Sequence, residues 1–396
     1  MKKTYVIAEI GTSHGGRLDK AFELIDEAKR AGAHIIKFQW VYADEILHPE
    51  TGFVNLPGGS IRLYDRFREL EVEPSFFKEC LEYTHKKGLL FACSPFGTRS
   101  LHELCDIHPD AIKIASPEVN HIPLLRECAS YYGKIPIILS SGVSKLGDLE
   151  KAIEILTGNK DGDGTSLPKE NVLPPLTLLH CITSYPAPEK EYNVRAVETL
   201  SKIFGIPTGI SDHSLDPVLV PVLSSAMGGI MVEKHITLSK KTDGLDDPVA
   251  LEEEGFTQMC SALRQTDALY NRYQRDMEAG GSIQLQNPAL NQTIKQLSEQ
   301  YGGEKVNAVL GSGIKVLAKS ERANYGRTNR SLHYVRKMNA GETVKSGDIR
   351  VLRTEKVLSP GIAPDYLDMI QNAVLTHDVN AGDGVQFQDF MSFIAK

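Results

Sequence analysis

The stretch "GIMVEKHITL" (residues 229–238) decides the fold, because it is the last of eight short apolar runs that have the character of β-strands. Its flanks are apolar, yet Glu233, Lys234 and His235 lie in its middle. A half-buried strand alternates apolar and polar residues, whereas a strand buried on both faces is almost continuously apolar. This run fits neither pattern, so its charged side chains require a polar environment at one end of the strand.

Seven runs of the same kind precede it, at residues 5–11, 34–39, 89–96, 111–117, 135–142, 176–185 and 207–214. Segments with helical spacing of apolar residues separate most of them. Leu18, Phe22 and Ile25, for example, share one helical face, and Gly32 follows as a stop signal. Eight strands alternating with helices over about 240 residues predict an α/β fold, a closed (β/α)8 TIM barrel. A doubly wound open sheet is the alternative, and the count of eight favours the barrel.

The rest of the chain is predicted to form a linker and a small second domain. A long helix from about residue 252 closes a barrel domain at 1–277, and residues 278–327 are interpreted as a linker region. Residues 328–396 contain short strands and the glycine-based turns "AGE", "SGD" and "AGDG". This pattern predicts a β-rich domain too small to have a large core of its own.

Composition excludes several classes of protein. The 396 residues are 41% hydrophobic and 24% charged, with a net charge of −7, so nucleic acid and anionic membranes are not expected partners. We find no apolar run of the roughly 18 residues that a membrane helix needs, and no apolar core of a secretion signal. The six cysteines include no Cys-x-x-Cys pair, which predicts buried thiols in a reducing compartment. We therefore expect a cytoplasmic protein.

Polar residues lie near the C-terminal ends of all eight predicted strands, where TIM barrels carry their active sites. Lys37 and Lys113 lie inside otherwise apolar strands, and hydroxyl residues accompany them at Ser94, Ser116, Ser140, Thr183 and Ser211. A single lysine in a strand usually pairs with an acid, and a serine there often satisfies the backbone. Together, however, they predict an anion site, because phosphate requires several donors and positive charge. No Walker or Gly-x-Gly-x-x-Gly loop indicates a nucleotide.

Two histidines, His213 and His235, lie on predicted neighbouring strands. Two neutral imidazoles can hold a divalent metal with water as the remaining ligands, although buried core histidines are an equally good interpretation. Glu118 is a candidate general acid or base, or else the partner of a nearby lysine. Tyr185 is either a pocket contact or packing.

Several motifs, in order, carry a resemblance to a known family: "IAEIGTSHGG" (7–16), "KIASPEVNHIPLL" (113–125), "LLHCITSYPAPEK" (178–190), "GISDHSLDP" (209–217) and "VEKHITL" (232–238). The chain resembles the N-acetylneuraminate (sialic acid) synthase family, which includes nonulosonate synthases and spore coat polysaccharide biosynthesis relatives. The tail "RSLHYVRKMNAGETVKSGDIRVLR" (330–353) resembles the antifreeze-like (SAF) domain that follows the barrel in that family.

The resemblance implies a transferase that condenses phosphoenolpyruvate with an N-acetylated hexose, such as N-acetylmannosamine, and water. The products are a nine-carbon 2-keto sugar acid and phosphate. An alternative acceptor is a dideoxy di-N-acetyl hexose, which leads to legionaminic or pseudaminic acid. A metal-dependent barrel hydrolase is less favoured, because no His-x-His or bridging-carboxylate signature accompanies the two histidines. A non-catalytic binding protein would leave the polar strand ends unexplained.

The resemblance also implies roles for individual residues. His213 and His235 would hold a divalent metal, Mn or Mg, and count with Glu9 and Glu118 as catalytic residues, Glu118 being the proton carrier. The implied phosphoenolpyruvate ligands are Lys37, Ser94, Lys113, Ser116, Ser140, Thr183 and Ser211, and the implied sugar contacts are Gln39, Tyr185, Asp246 and Arg353. The family further implies a homodimer in which the C-terminal domains are exchanged, so that Arg353 reaches the partner's barrel.

Overall fold

Eight parallel strands form a closed barrel in the computed structural model, which describes residues 2–56, 59–158, 173–242, 244–278, 288–355 and 357–391. The strands are β1 (Tyr5–Gly11), β2 (Ile35–Trp40), β3 (Leu90–Pro95), β4 (Ala111–Ile114), β5 (Ile137–Ser140), β6 (Leu176–Cys181), β7 (Thr208–Asp212) and β8 (Met231–His235). Each strand pairs with the next, and β8 closes the barrel against β1, where Glu9 lies beside His235. The predicted barrel and its eight strands are confirmed.

Helices cover the outside of the barrel. They are α1 (Leu18–Ala31), α2 (Ala43–Ile46), α3 (Leu63–Arg68), α4 (Pro74–Lys86), α5 (Thr98–Asp106), α6 (Ile122–Ala129), α7 (Leu146–Thr157), α8 (Ala196–Phe204), α9 (Leu219–Ala226) and α10 (Glu253–Glu278). In α1, Leu24, Ile25 and Ala28 are fully buried against the strands, and Gly32 ends the helix at a φ of 100° that favours glycine. A short hairpin, Phe53–Leu56 with Gly59–Arg62, lies between α2 and α3.

The barrel interior changes character along its length. Alternate strand residues form an apolar inner cluster that includes Ile7, Ile35, Ala92, Ile138 and Met231. Because successive side chains of a strand point to opposite faces, the residues two positions further along also point inward. Those residues are polar, so the apolar floor of the barrel supports a polar layer at its C-terminal end.

The interpretation of residues 278–327 as a linker requires correction. Two further helices, α11 (Pro288–Tyr301) and α12 (Gly303–Leu310), lie in this range, and their Leu297, Val306 and Leu310 are part of the main barrel core. Polar residues surround the apolar positions of α11, which made its helical period difficult to recognise. Most of the predicted surface loop before β6, residues 159–172, lies outside the described residues.

The C-terminal domain (residues 330–391) is small and β-rich, as predicted. Its strands β9 (Arg330–Tyr334) and β10 (Ile349–Arg353) are antiparallel, and its own core contains Leu332, Tyr334 and Val385. A one-turn helix, α13 (Leu367–Ile370), completes it. Arg126 of the barrel pairs with Asp368 at 2.7 Å, so this domain contacts the barrel of its own chain.

The predicted burial of the thiols is confirmed, since all six cysteines are buried and none of them is in a disulfide within the described residues. Among the helices of the described ranges, none has both the length and the apolar character needed to cross a membrane.

Candidate active site

The polar layer follows from the alternation of the barrel strands. Each of its members lies two positions beyond an inner-core residue: Glu9 after Ile7, Lys37 after Ile35, Ser94 after Ala92, Lys113 after Ala111, Ser140 after Ile138 and Glu233 after Met231. All of these polar side chains are buried. The strand order therefore gathers five of the predicted site residues, Glu9, Lys37, Ser94, Lys113 and Ser140, in one layer with Glu233.

Two lysines and two carboxylates form the charged centre of this layer. Lys37 Nζ lies 2.5 Å from Glu9 Oε2 and 3.9 Å from Glu233 Oε1, while Lys113 Nζ lies 3.7 Å from the same Glu233 oxygen. Burial opposes the charge on Lys37, but Glu233 and Glu9 outweigh it and raise the pKa of this lysine. Burial lowers the pKa of Lys113, and Glu233 offsets this only in part. Lys113 is thus the lysine whose charge a bound anion would stabilise most.

Several buried hydroxyls at the C-terminal ends of β3 and β5 and just after β5 and β6, strands that lie on either side of β4 or one further along, have no hydrogen-bond partner among the described residues. They are Ser94 Oγ, Ser140 Oγ, Ser141 Oγ and Thr183 Oγ1. Buried polar atoms are normally paired, so a cluster of unpaired hydroxyls beside a lysine fits an oxyanion. Two other predicted ligands already have partners: Ser116 Oγ accepts from Gly142 N–H at 3.0 Å, and Ser211 Oγ donates to Glu233 Oε1 at 3.1 Å.

The two histidines lie together at the open end of the barrel, with ring centroids 5.6 Å apart. His213 donates Nδ1–H to the carbonyl of Ile182 at 2.8 Å, so Nε2 is the nitrogen that could bind a metal after losing its proton. His235 Nδ1 lies 3.8 Å from Asp246 Oδ2. Within the described ranges, no three His, Cys, Asp or Glu side chains form a group suited to a metal. The residues therefore fit a metal only if water or substrate supplies further ligands.

Cys181 lies next to this pair, with its Sγ 3.9 Å from His213 Nδ1. Burial opposes protonation of His213, but its interaction with Cys181 outweighs burial and raises the pKa of His213 to about 9. A metal on His213 would therefore displace a proton, which makes metal affinity increase with pH.

Glu118 has partners that the sequence did not indicate. Its Oε2 lies 2.5 Å from Arg330 Nε and its Oε1 lies 2.7 Å from Arg353 Nη2, both from the C-terminal domain. Burial would raise the pKa of Glu118, but Arg330 and Arg353 outweigh it and lower that pKa. A fully buried carboxylate with two guanidinium partners is a poor proton donor. This geometry favours an anchoring role for Glu118 over the predicted proton transfer. The alternative prediction was an ion pair between Glu118 and a lysine; the partners are instead two arginines.

Arg330 is the residue that the sequence reasoning missed. Its Nη2 donates to the carbonyl of Phe96 at 2.7 Å and its Nη1 donates to the carbonyl of Glu45 at 2.5 Å. Asn120 forms two further hydrogen bonds with the Arg330 backbone, at 2.8 and 2.9 Å. The signal in the sequence was an arginine at the first position of a strand whose Leu332 and Tyr334 are core residues. Because these contacts lie within one chain, exchange between subunits is not required to bring Arg353 to Glu118.

The predicted sugar contacts lie around the open side of the layer. Gln39 Nε2 donates to Glu9 Oε1 at 2.7 Å, Tyr185 is half-exposed with its ring 4.2 Å from that of His213, and Asp246 lies near His235. Arg353 completes the set from the C-terminal domain. All predicted site residues thus lie in or beside the polar end of the barrel.

Comparisons with known proteins agree with this architecture. A model of the NeuB family matches residues 24–274, and a model of the SAF domain matches residues 329–391. The first match covers the barrel from within α1 to within α10, and the second covers the C-terminal domain.

Individual relatives align over almost the whole chain. An uncharacterised protein of Methanocaldococcus jannaschii is 31% identical, with 98% of this chain and 95% of that protein aligned. An N,N'-diacetyllegionaminic acid synthase of Campylobacter jejuni is 27% identical, with 93% and 96% aligned. The crystal structure of the spore coat polysaccharide biosynthesis protein SpsE from Bacillus subtilis has a TM-score of 0.76 at 25% identity, covering 99% of this chain and 96% of that one.

Proposed function

Because the chain belongs to the NeuB family, as its motifs predicted, we propose that it is a nonulosonate synthase. The proposed reaction condenses phosphoenolpyruvate with the open-chain aldehyde of an N-acetylated hexose and water. The products are a nine-carbon 2-keto sugar acid and phosphate. Relatives named as synthases agree with an enzyme that forms a carbon–carbon bond.

One observation carries the proposal for phosphoenolpyruvate: the buried, unpaired hydroxyls of Ser94, Ser140 and Thr183 accompany Lys113. Phosphoenolpyruvate has a phosphate and a carboxylate, which need more than one positive charge and many donors. Lys37 supplies the second charge from the neighbouring position. A neutral sugar alone would not compensate the desolvation of Lys113.

The bond changes in the proposed reaction balance without a redox partner. Carbon 3 of phosphoenolpyruvate bonds to the aldehyde carbon, and the aldehyde oxygen takes up a proton. Water adds to carbon 2 and loses its protons as the new ketone forms, while the bond between carbon 2 and the phosphate oxygen breaks. Lys113 and the hydroxyls hold the charge of the departing phosphate, and Glu9, fixed by Lys37 and Gln39, is the carboxylate placed beside the reacting groups.

His213 and His235 are the residues that would hold a Mn or Mg ion, which would supply Lewis-acid polarisation of the aldehyde and a position for water. Nε2 of His213, which does not take part in the bond to Ile182, fits this role once it loses its proton, as does the carboxylate of Asp246 near His235.

The acceptor is proposed as N-acetylmannosamine or, alternatively, a dideoxy di-N-acetyl hexose. The second is favoured by relatives named as legionaminic and pseudaminic acid synthases. The hydrolase alternative has no support among the named relatives. The proposal also retains the homodimer with exchanged C-terminal domains that the family resemblance implies, while within the single chain Arg330 contacts Glu118 of its own barrel.

An acceptor screen tests the proposal. The protein is incubated with phosphoenolpyruvate, Mn²⁺ and one N-acetylated aldose at a time, and the product is identified by mass. We expect phosphate release only when sugar and metal are both present, together with a product of the mass of the 2-keto acid. Phosphate release without sugar, or no product with any acceptor, would refute it.

A further inference from the structure

The segment that connects α12 to the C-terminal domain, residues 311–329, lies against the loops that follow β5 and β6. Lys315 Nζ donates to the carbonyl of Ser141 at 2.9 Å, and Asn324 Nδ2 donates to the carbonyl of Thr183 at 3.5 Å. This connecting segment therefore contacts both loops that carry unpaired hydroxyls of the anion site.

Glu321 is the residue of the connecting segment that joins the two loops. Its side chain is 1% exposed, and one oxygen, Oε2, accepts from the backbone N–H of Val143 at 3.2 Å and of Thr183 at 2.9 Å. Its other oxygen accepts from Ala318 N–H at 3.2 Å. A single buried carboxylate oxygen thus fixes the distance between the loop after β5 and the loop after β6.

Val143 shows why such a connection is needed. Its φ is +43°, a left-handed conformation that β-branched residues avoid. The connecting segment binds both of its backbone groups, since Glu321 accepts its N–H and Asn329 Nδ2 donates to its carbonyl at 3.0 Å. Strained backbone of this kind persists only where surrounding contacts hold it.

The position of this loop determines the surroundings of the Thr183 hydroxyl. A Cβ on Gly142 would lie 2.1 Å from Thr183 Oγ1 and 2.9 Å from Ser116 Oγ, so the Gly142 backbone packs directly against both side chains. Gly142 N–H also donates to Ser116 Oγ. A small shift of residues 141–143 would therefore move or obstruct Thr183 Oγ1.

From these contacts we propose that Glu321 is a positioning residue for phosphoenolpyruvate binding. It does not contact the ligand; it holds Val143 and Thr183 so that Ser140 and Thr183 present their hydroxyls to one oxyanion. This inference rests on the proposed function. It assigns to the connecting segment, outside the eight strands, a part in substrate affinity.

The test compares Glu321→Gln with the wild-type enzyme. The amide oxygen can still accept from both N–H groups but carries no negative charge, and the amide NH2 group then faces the Ala318 N–H, so we expect the hydrogen bonds to Val143 and Thr183 to weaken. The KM for phosphoenolpyruvate should rise roughly tenfold, the effect of losing about one hydrogen bond to a charged group, while the KM for the acceptor sugar stays unchanged. Hydrogen–deuterium exchange should accelerate in peptides covering 141–145 and 182–185. Glu304→Gln, an exposed glutamate on α12, is the matched control and should resemble wild type.

Each outcome decides the matter. Unchanged KM values, an equal rise in both, or unchanged exchange in the two loops would overturn the positioning role while the proposed function stands. A wild-type enzyme that neither binds nor consumes phosphoenolpyruvate would overturn the proposed function and this role together. If Glu321→Gln does not fold, Asn329→Ala removes the donor to the Val143 carbonyl and should show the same selective rise in KM to a smaller extent; its absence would overturn the proposal.

Discussion

Glu118 and Arg330 form an ion pair in which neither side chain is exposed to solvent. They are 212 residues apart in sequence, and they join the end of β4 to the first strand of the C-terminal domain. Removing two charges from water is costly and largely cancels their attraction, so a buried ion pair adds little net stability. Removing one partner, however, leaves a buried charge without compensation and strongly destabilises the fold. The pair therefore specifies where the C-terminal domain docks.

We predict that Arg330→Met lowers the free energy of unfolding by about 3–5 kcal/mol, because Glu118 keeps its charge in a buried position with Arg353 alone. Arg350→Met is the matched control. Arg350 also contacts the barrel domain, through Asp44 of α2, but both side chains are about half exposed, so about 0–1 kcal/mol is expected. Chemical denaturation of both variants measures the difference, and equal losses would contradict the anchoring role.

The Glu118 carboxylate also predicts a pH dependence. Its pKa is lowered in the folded protein, so its contribution to stability is complete above the unfolded pKa of about 4.3 and is lost as pH falls from there through the folded pKa. Wild type should therefore lose more stability than Glu118→Gln when denaturation is measured at pH 7, then 5, then 4, then 3. Glu304→Gln serves as the control and should keep the wild-type slope. Parallel curves for wild type and Glu118→Gln would show that Glu118 titrates alike in both states.

Binding of phosphoenolpyruvate can be tested by thermal stability, because a ligand of the native state must stabilise it. At 100 times its dissociation constant, phosphoenolpyruvate should add about 2.7 kcal/mol to wild type. Lys113→Met should lose most of this increase, since it removes the buried ammonium beside the unpaired hydroxyls. Lys190→Met, an exposed lysine of the loop after β6, should keep it. Full stabilisation of the Lys113 variant by phosphoenolpyruvate would show that Lys113 is not part of the anion site.

The histidine pair is tested by metal binding rather than by rate alone. His235→Ala should lower Mn²⁺ affinity in calorimetry and lower activity in parallel, whereas His377→Ala, a half-exposed histidine of the C-terminal domain, should change neither. A His235 variant with normal Mn²⁺ affinity would exclude His235 as a ligand.

Exchange of the C-terminal domains has its own test. Arg353→Ala and His235→Ala chains are each expected to be inactive alone. If the domains are exchanged, a mixed dimer contains one barrel with intact His235 that receives an intact Arg353 from its partner, and activity returns on mixing. Continued inactivity in verified mixed dimers would indicate that each C-terminal domain serves its own barrel, as in the single chain described above.

The barrel was predictable because most of its strands are local apolar runs, and because eight such runs favour a closed barrel over an open sheet. The layer around Lys37 and Lys113 was also predictable, since alternation fixes which residues share a face. The partners of Glu118 were not. Arg330 and Glu118 meet only after the C-terminal domain docks, and no local pattern encodes a contact between residues so far apart.

The helix α11 and the residue Glu321 were missed for different reasons. Leu290, Ile294 and Leu297 do have helical spacing, but the polar residues between them obscured it. Glu321 follows a lysine and a serine in an otherwise unremarkable segment, and its importance comes from backbone N–H groups of two distant loops. Backbone donors have no sequence signature.

Lys234, the middle residue of "EKH" (233–235), affects the register of β8. Lys234 points away from the barrel interior, where its ammonium, with no solvent exposure, pairs with Asp212 of β7 at 2.6 Å. A one-residue slip of β8 would place Lys234 inside among Lys37 and Lys113 and would turn Glu233 and His235 outward into the apolar helical layer. The Lys234–Asp212 pair therefore favours the observed register over a one-residue slip, and in the observed register β8 presents His235 to the site.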